Sequence, residues 1–164
     1  GWPAFLYEED HGGDSGEDTG GLEVIRINEE KQEGEPIQEL GILRKNMIFK
    51  VFGYLYSTGW DESDERYFEE GWYSGDVDWY YFFAATGGNL SVVLDWYTSE
   101  EDDYDIFLFS VEDYHLGEIL STEGYTQHMP ESFTYPIQAN EYYVVAVGGY
   151  SGAPGYYWVD LRIL

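Results

Sequence analysis

The chain lacks cysteine altogether, and it has only three histidines and seven lysines and arginines in 164 residues. Without cysteine there is no disulfide framework, no thiolate metal site and no cysteine nucleophile. His11, His115 and His128 lie far apart, with neither an H-E-x-x-H motif nor any other paired spacing, so they read as surface or turn residues. Against 33 aspartates and glutamates the few basic residues leave a formal net charge of −26. Such a field repels phosphate backbones and anionic lipid surfaces, which argues against nucleic-acid and membrane partners. No stretch approaches the roughly 18 apolar residues of a membrane span, and no basic segment followed by an apolar one opens the chain.

What is abundant points to strands. Aromatic residues make up 20% of the chain and hydrophobic residues 43%, with 17 tyrosines and 20 glycines where a helical protein would carry alanine, leucine and lysine. The length suits one domain with room for a tail or a large insertion. Short alternating segments separated by turn signals predict an all-β fold, an antiparallel β-sandwich with jelly-roll-like character. Self-repulsion among the acids falls when salt screens them or divalent cations neutralise them, so a salty or calcium-containing milieu suits this composition.

Residues 1–22 read as an acidic Gly/Asp-rich leader or linker, and 23–164 as the sandwich domain, with an acidic loop insertion at about 57–74. Leu22–Ile27 predicts an edge strand, Pro36–Leu40 at most a helical turn, and Asn46–Tyr56 a strand with a bulge at Gly53. The stretch from Gly75 to Tyr97 predicts a central hairpin: an aromatic strand with Asp76 and Asp78 at its mouth, a Gly-Gly-Asn turn and a second strand. Its two-residue period sends Asp78, Tyr80 and Phe82 to one face and Trp79, Tyr81 and Phe83 to the other. Five more strands follow to Leu164, the last with Val159, Leu161 and Ile163 facing inward.

Five segments together carry a family likeness: E-G-E-P-I-Q-E-L-G (33–41), G-D-V-D-W-Y-Y-F (75–82), G-G-N-L-S-V-V-L (87–94), D-Y-D-I-F-L-F (103–109) and E-Y-Y-V-V-A-V-G-G-Y-S-G-A-P-G-Y-Y (141–157). In order and spacing they resemble the bacterial pre-peptidase C-terminal domain, whose relatives include collagen-binding modules of secreted bacterial collagenases. The resemblance covers about residues 28–164, interrupted at 57–74. It implies a non-catalytic sandwich attached to exported proteins and, in some members, a calcium ion held between the N-terminal linker and a sheet. Carried onto this chain, the implied calcium ligands are Glu33, Glu35, Asp76 and Asp78. Ile37 and Gln38 stand where the family commonly has Asn and then Asp or Asn.

Other motifs are weaker. G-D-S-G at 13–16 shares four residues with the nucleophile segment of trypsin-like proteases, but its flanks are Gly/Asp linker; the segment around Ser151 lacks the final glycine of a G-x-S-x-G elbow. The acidic clusters 61–65 and 100–105 lack the EF-hand loop pattern and read as solvated loops, with Asp105 leading into a strand and held in place. Trp72, Trp96, Tyr150, Tyr156 and Trp158 are candidate ligand-binding aromatics at expected loop or outward positions. The functional expectation is a non-catalytic accessory or binding module of a secreted, extracellular or periplasmic protein, with calcium as its implied ion. It would bind an extracellular protein or assist an attached peptidase or other exported domain. The alternative of a different kind is a carbohydrate-binding module that takes a polysaccharide ligand.

Overall fold

The computed structural model describes residues 7–8, 21–29, 37–99, 101–123 and 131–164. Among them the chain forms thirteen strands and no helix: β1 Tyr7–Glu8, β2 Glu23–Asn28, β3 Gln38–Leu43, β4 Met47–Leu55, β5 Trp60–Asp61, β6 Trp72–Tyr73, β7 Val77–Ala84, β8 Gly88–Trp96, β9 Asp103–Glu112, β10 His115–Glu123, β11 Glu131–Ile137, β12 Glu141–Ser151 and β13 Gly155–Ile163. They assemble into a six-stranded sheet ordered β1-β2-β4-β13-β8-β11 and a five-stranded sheet ordered β10-β9-β12-β7-β3. The short β5-β6 pair stands apart from both. The all-β sandwich follows from the alternation: β4, β7 and β13 each bury every second residue. Val159, Leu161 and Ile163 face the interior as expected, with Tyr157 beside them.

Several local expectations are corrected. Residues 75–97 do not form a hairpin, because β7 belongs to the five-stranded sheet and β8 to the six-stranded one, so the turn between them carries the chain across the sandwich. Both strands are filled by other partners: β12 and β3 flank β7, and β13 and β11 flank β8. The expected helical turn at 36–40 is overturned over its described part, where Gln38–Leu43 is a strand paired in parallel with β7. Leu22–Ile27 is a strand, yet it is no sheet edge: β1 covers one side and β4 lies parallel on the other. Gly53 sits in unbroken register opposite Tyr157 rather than in a bulge. Its role is space, since a Cβ there would lie 2.3 Å from the Tyr157 hydroxyl.

Between the sheets runs one core that includes Ile27, Phe49, Phe82, Leu94, Leu108, Val145 and Leu161. A second apolar layer covers the outer face of the five-stranded sheet, where Trp72, Tyr73, Phe107, Phe109, Val144 and Ala146 are buried together. The acidic segment 57–74 supplies its cover. Trp60, Tyr67 and Phe68 pack down on it while Asp61, Glu62 and Glu65 stay exposed, so this insertion is a strap held by aromatic anchors.

Candidate functional site

Strand β9 alternates between the two layers. Tyr104, Ile106 and Leu108 join the core between the sheets, and Phe107 and Phe109 join the outer layer under the strap. The same period puts Asp103 and Asp105 on the outer side, ahead of Phe107. Glu131, the first residue of β11, approaches from the six-stranded sheet. One carboxylate oxygen from each of Asp103, Asp105 and Glu131 lies within 4.8 Å of the other two, and all three residues are buried. Three ionised carboxylates at such a spacing would repel by roughly 3 kcal/mol per pair at an effective dielectric of about 20.

Burial and hydrogen bonding both act on that charge. Burial pushes the Asp103 carboxyl above its usual range, opposed by its hydrogen bond with Asp105. The Tyr73 hydroxyl donates to Asp105 Oδ2. Burial, and then the negative charge of Asp105, hold that phenol well above its ordinary pKa, so it stays a donor. Tyr73 and Asp105 also form the inner wall of a cleft of about 270 Å³, lined by Trp60, Phe68, Phe107, Thr122 and Tyr150 with Glu62 and Glu70 at its edge. A triad of this composition can hold a metal ion. All its donors are oxygens, which suits a hard cation.

The expected site residues fall elsewhere. Glu33 and Glu35 lie outside the described residues. Asp76 is buried, its Oδ2 accepting the Tyr56 N–H at 3.0 Å while its own N–H is bonded to Ser57 Oγ at 2.9 Å. Asp78 points into the core, where Tyr157 donates to its Oδ2 at 2.5 Å and Tyr80 bonds Tyr157 in turn. Burial drives both phenols well above their ordinary pKa. Both aspartates are thus built into hydrogen-bond networks, Asp76 between strands and Asp78 between sheets.

Among the aromatic candidates, Trp72 and Trp96 are each 2% exposed, which corrects their expected outward position. Trp72 is the centre of the layer under the strap; Trp96 packs 5.3 Å from Tyr104 and donates its indole N–H to the Ser99 carbonyl at 2.7 Å. Tyr150, Tyr156 and Trp158 do face outward, Tyr156 with 64% of its surface exposed. Tyr156 meets Tyr54 at 4.7 Å, Tyr54 meets Tyr56 at 5.0 Å, and Trp158 meets Tyr97 at 4.6 Å. These rings lie along the outer side of the six-stranded sheet.

A feature the sequence reading missed lies on the opposite sheet. Ile37, Tyr81, Val111, Tyr114, Leu116, Tyr142 and Val144, together with His115, line a groove of about 580 Å³ beside the strap. Tyr114 at its lip is 89% exposed and has φ of 63°, in a turn whose preceding residue, Asp113, has φ of 54°. Two successive left-handed non-glycine residues at a hairpin tip are strained. Pattern alone marks Tyr114 as a turn residue; only the geometry shows a large aromatic held where glycine or asparagine fits better.

No protein-family model matches the chain, and no curated protein matches it. Among solved structures, the pre-peptidase C-terminal domain of a collagenase from Bacillus anthracis superposes with a TM-score of 0.52 at 12% identity, over 82% of this chain and all of that one. The likeness is one of fold. A periplasmic inhibitor of g-type lysozyme from Aeromonas hydrophila matches with a TM-score of 0.42 at 11% identity, over 79% of this chain and all of its own. A surface-associated copper-binding protein of Methylomicrobium album matches with a TM-score of 0.47 at 10% identity, over 79% of this chain and all of its own.

Proposed function

We propose that this chain is a non-catalytic binding module of an exported protein, and that it takes an extended, basic protein segment in the groove on the five-stranded sheet. The observation that carries this reading is Tyr114: a large apolar side chain held out in water, on strained backbone, at the lip of an apolar groove. Strain of that kind persists where function needs it. The groove offers Tyr81 and Tyr142 as further rings, and exposed Glu112, Asp113 and Glu141 adjoin its lining residues in the chain. With a molecular charge of −26, a cationic segment is both steered toward this face and matched on arrival. The fold likeness to a domain carried by a bacterial collagenase supports an accessory role.

The test is a pull-down and affinity measurement with a library of extended peptides carrying fixed lysine or arginine, run beside gelatin. Tyr114→Ala and Tyr142→Ala are each expected to weaken binding about tenfold or more, the range of an interface aromatic anchor, and higher salt to weaken it further. Absence of binding by the unaltered chain, or binding indifferent to both variants, would sink the proposal.

The aromatic strip on the six-stranded sheet favours a second reading, a carbohydrate-binding module that stacks sugar rings on Trp158 and Tyr156. A glycan array in which a clear signal disappears with Trp158→Ala and survives Tyr142→Ala would favour it.

A further inference from the structure

We infer that Asp103, Asp105 and Glu131 form a divalent-cation site of calcium type that joins the two sheets, distinct from both the groove and the Asp76/Asp78 region. Beyond the three clustered carboxylates, the inference rests on the state of Asp103. The residue is only 6% exposed, and its Oδ1 has no hydrogen-bond partner among the described residues. A buried carboxylate oxygen left unsatisfied is costly unless a proton or a cation answers it.

The surroundings favour an ion. Tyr73 donates to Asp105 from the strap side, the kind of outer contact that orients a ligating carboxylate. The cleft walled by Tyr73 and Asp105 supplies a path from solvent and room for the waters that complete six to eight oxygen ligands. A donor set of carboxylates suits calcium, which tolerates irregular coordination, better than magnesium, which demands a near-ideal octahedron, or soft metals, which prefer nitrogen and sulfur. Two ligands come from β9 of the five-stranded sheet and one from β11 at the margin of the six-stranded sheet, so the ion would hold the layers together at that end.

Terbium(III), a calcium mimic, provides the probe, because Tyr73, Trp72 and Trp60 are close enough to sensitise its emission. The full chain, stripped with a chelator, is titrated with terbium and then with calcium as competitor, and thermal unfolding is followed with and without millimolar calcium. Expected are a saturable terbium signal displaced by calcium and a Tm gain of roughly 5–10 °C in calcium. Asp103→Asn and Glu131→Gln should each weaken binding at least tenfold and lose the gain. Because each removes one of three like charges, each should also match or exceed the parent in Tm when metal is stripped. That crossing separates a lost ion from a damaged fold. Two results would overturn the site: no terbium signal and no calcium-dependent Tm change in the unaltered chain, or a response that survives both variants and disappears in Asp76→Asn.

Discussion

At the scale of single residues, the interior is fixed by a few polar contacts whose geometry leaves little slack. Tyr157 donates to Asp78 and bonds Tyr80 in the space that Gly53 leaves open. Tyr157→Phe should therefore cost about 1–3 kcal/mol by taking a donor from a buried carboxylate, measured by denaturant unfolding. Gly53→Ala should cost roughly 2–3 kcal/mol, because the added methyl meets a phenol that is locked in place. Tyr114→Gly should act in the opposite sense, raising stability by about 0.5–1 kcal/mol through relief of the left-handed backbone while weakening binding in the groove. A parallel gain in both would remove the functional reading of that strain. Residue alternation in β7 and β13 was legible in the chain because period-two burial is a local property. The buried state of Asp78 was not, since nothing local says that a tyrosine from a strand far along the chain will meet it.

At the scale of elements, the strap and the crossing turn organise the molecule. Segment 57–74 reads as an insertion because of its acids, but its aromatic residues make it the lid of a second apolar layer. Trp72→Ala is expected to cost about 3–5 kcal/mol, the usual loss for a buried tryptophan, and to expose Phe107 and Phe109 to a hydrophobic dye. The strands on either side of Gly87-Gly88-Asn89 look like a hairpin by composition, and only pairing partners decide otherwise. The alternation is the same whether a turn folds a strand back on its neighbour or sends it to the facing sheet. The acids of β9 show the same limit: D-D-Y-D is an ordinary acidic turn until Glu131, from the other sheet, is seen beside it.

At the scale of the whole molecule, charge sets the conditions of stability. The folded pKa of Asp103 lies above its usual value of 3.8. The sign follows: its contribution is complete below the unfolded value and is lost as pH rises through the folded one. In chelated samples Tm should therefore rise as pH falls from neutrality toward about 4, and Asp103→Asn should show less of this rise. At still lower pH Asp61 and Asp64, held low by hydrogen bonds from Ser63 and Arg66, lose those contacts on protonation, which works against that rise. Added salt should raise Tm at neutral pH by screening the excess of acids, with a smaller increment once calcium is present.

Strand β13 lies in the middle of the six-stranded sheet, between β4 and β8. The sheet is therefore two separate halves until residues 155–163 arrive. Until those residues dock, β4 and β8 present unpaired edges to one another, and the sheet closes only when β13 slots between them. Closure of the six-stranded sheet waits on residues 155–163, which leaves the earlier strands exposed to self-association until then. Ending the chain at residue 154 should leave a species that aggregates and shows no cooperative unfolding transition.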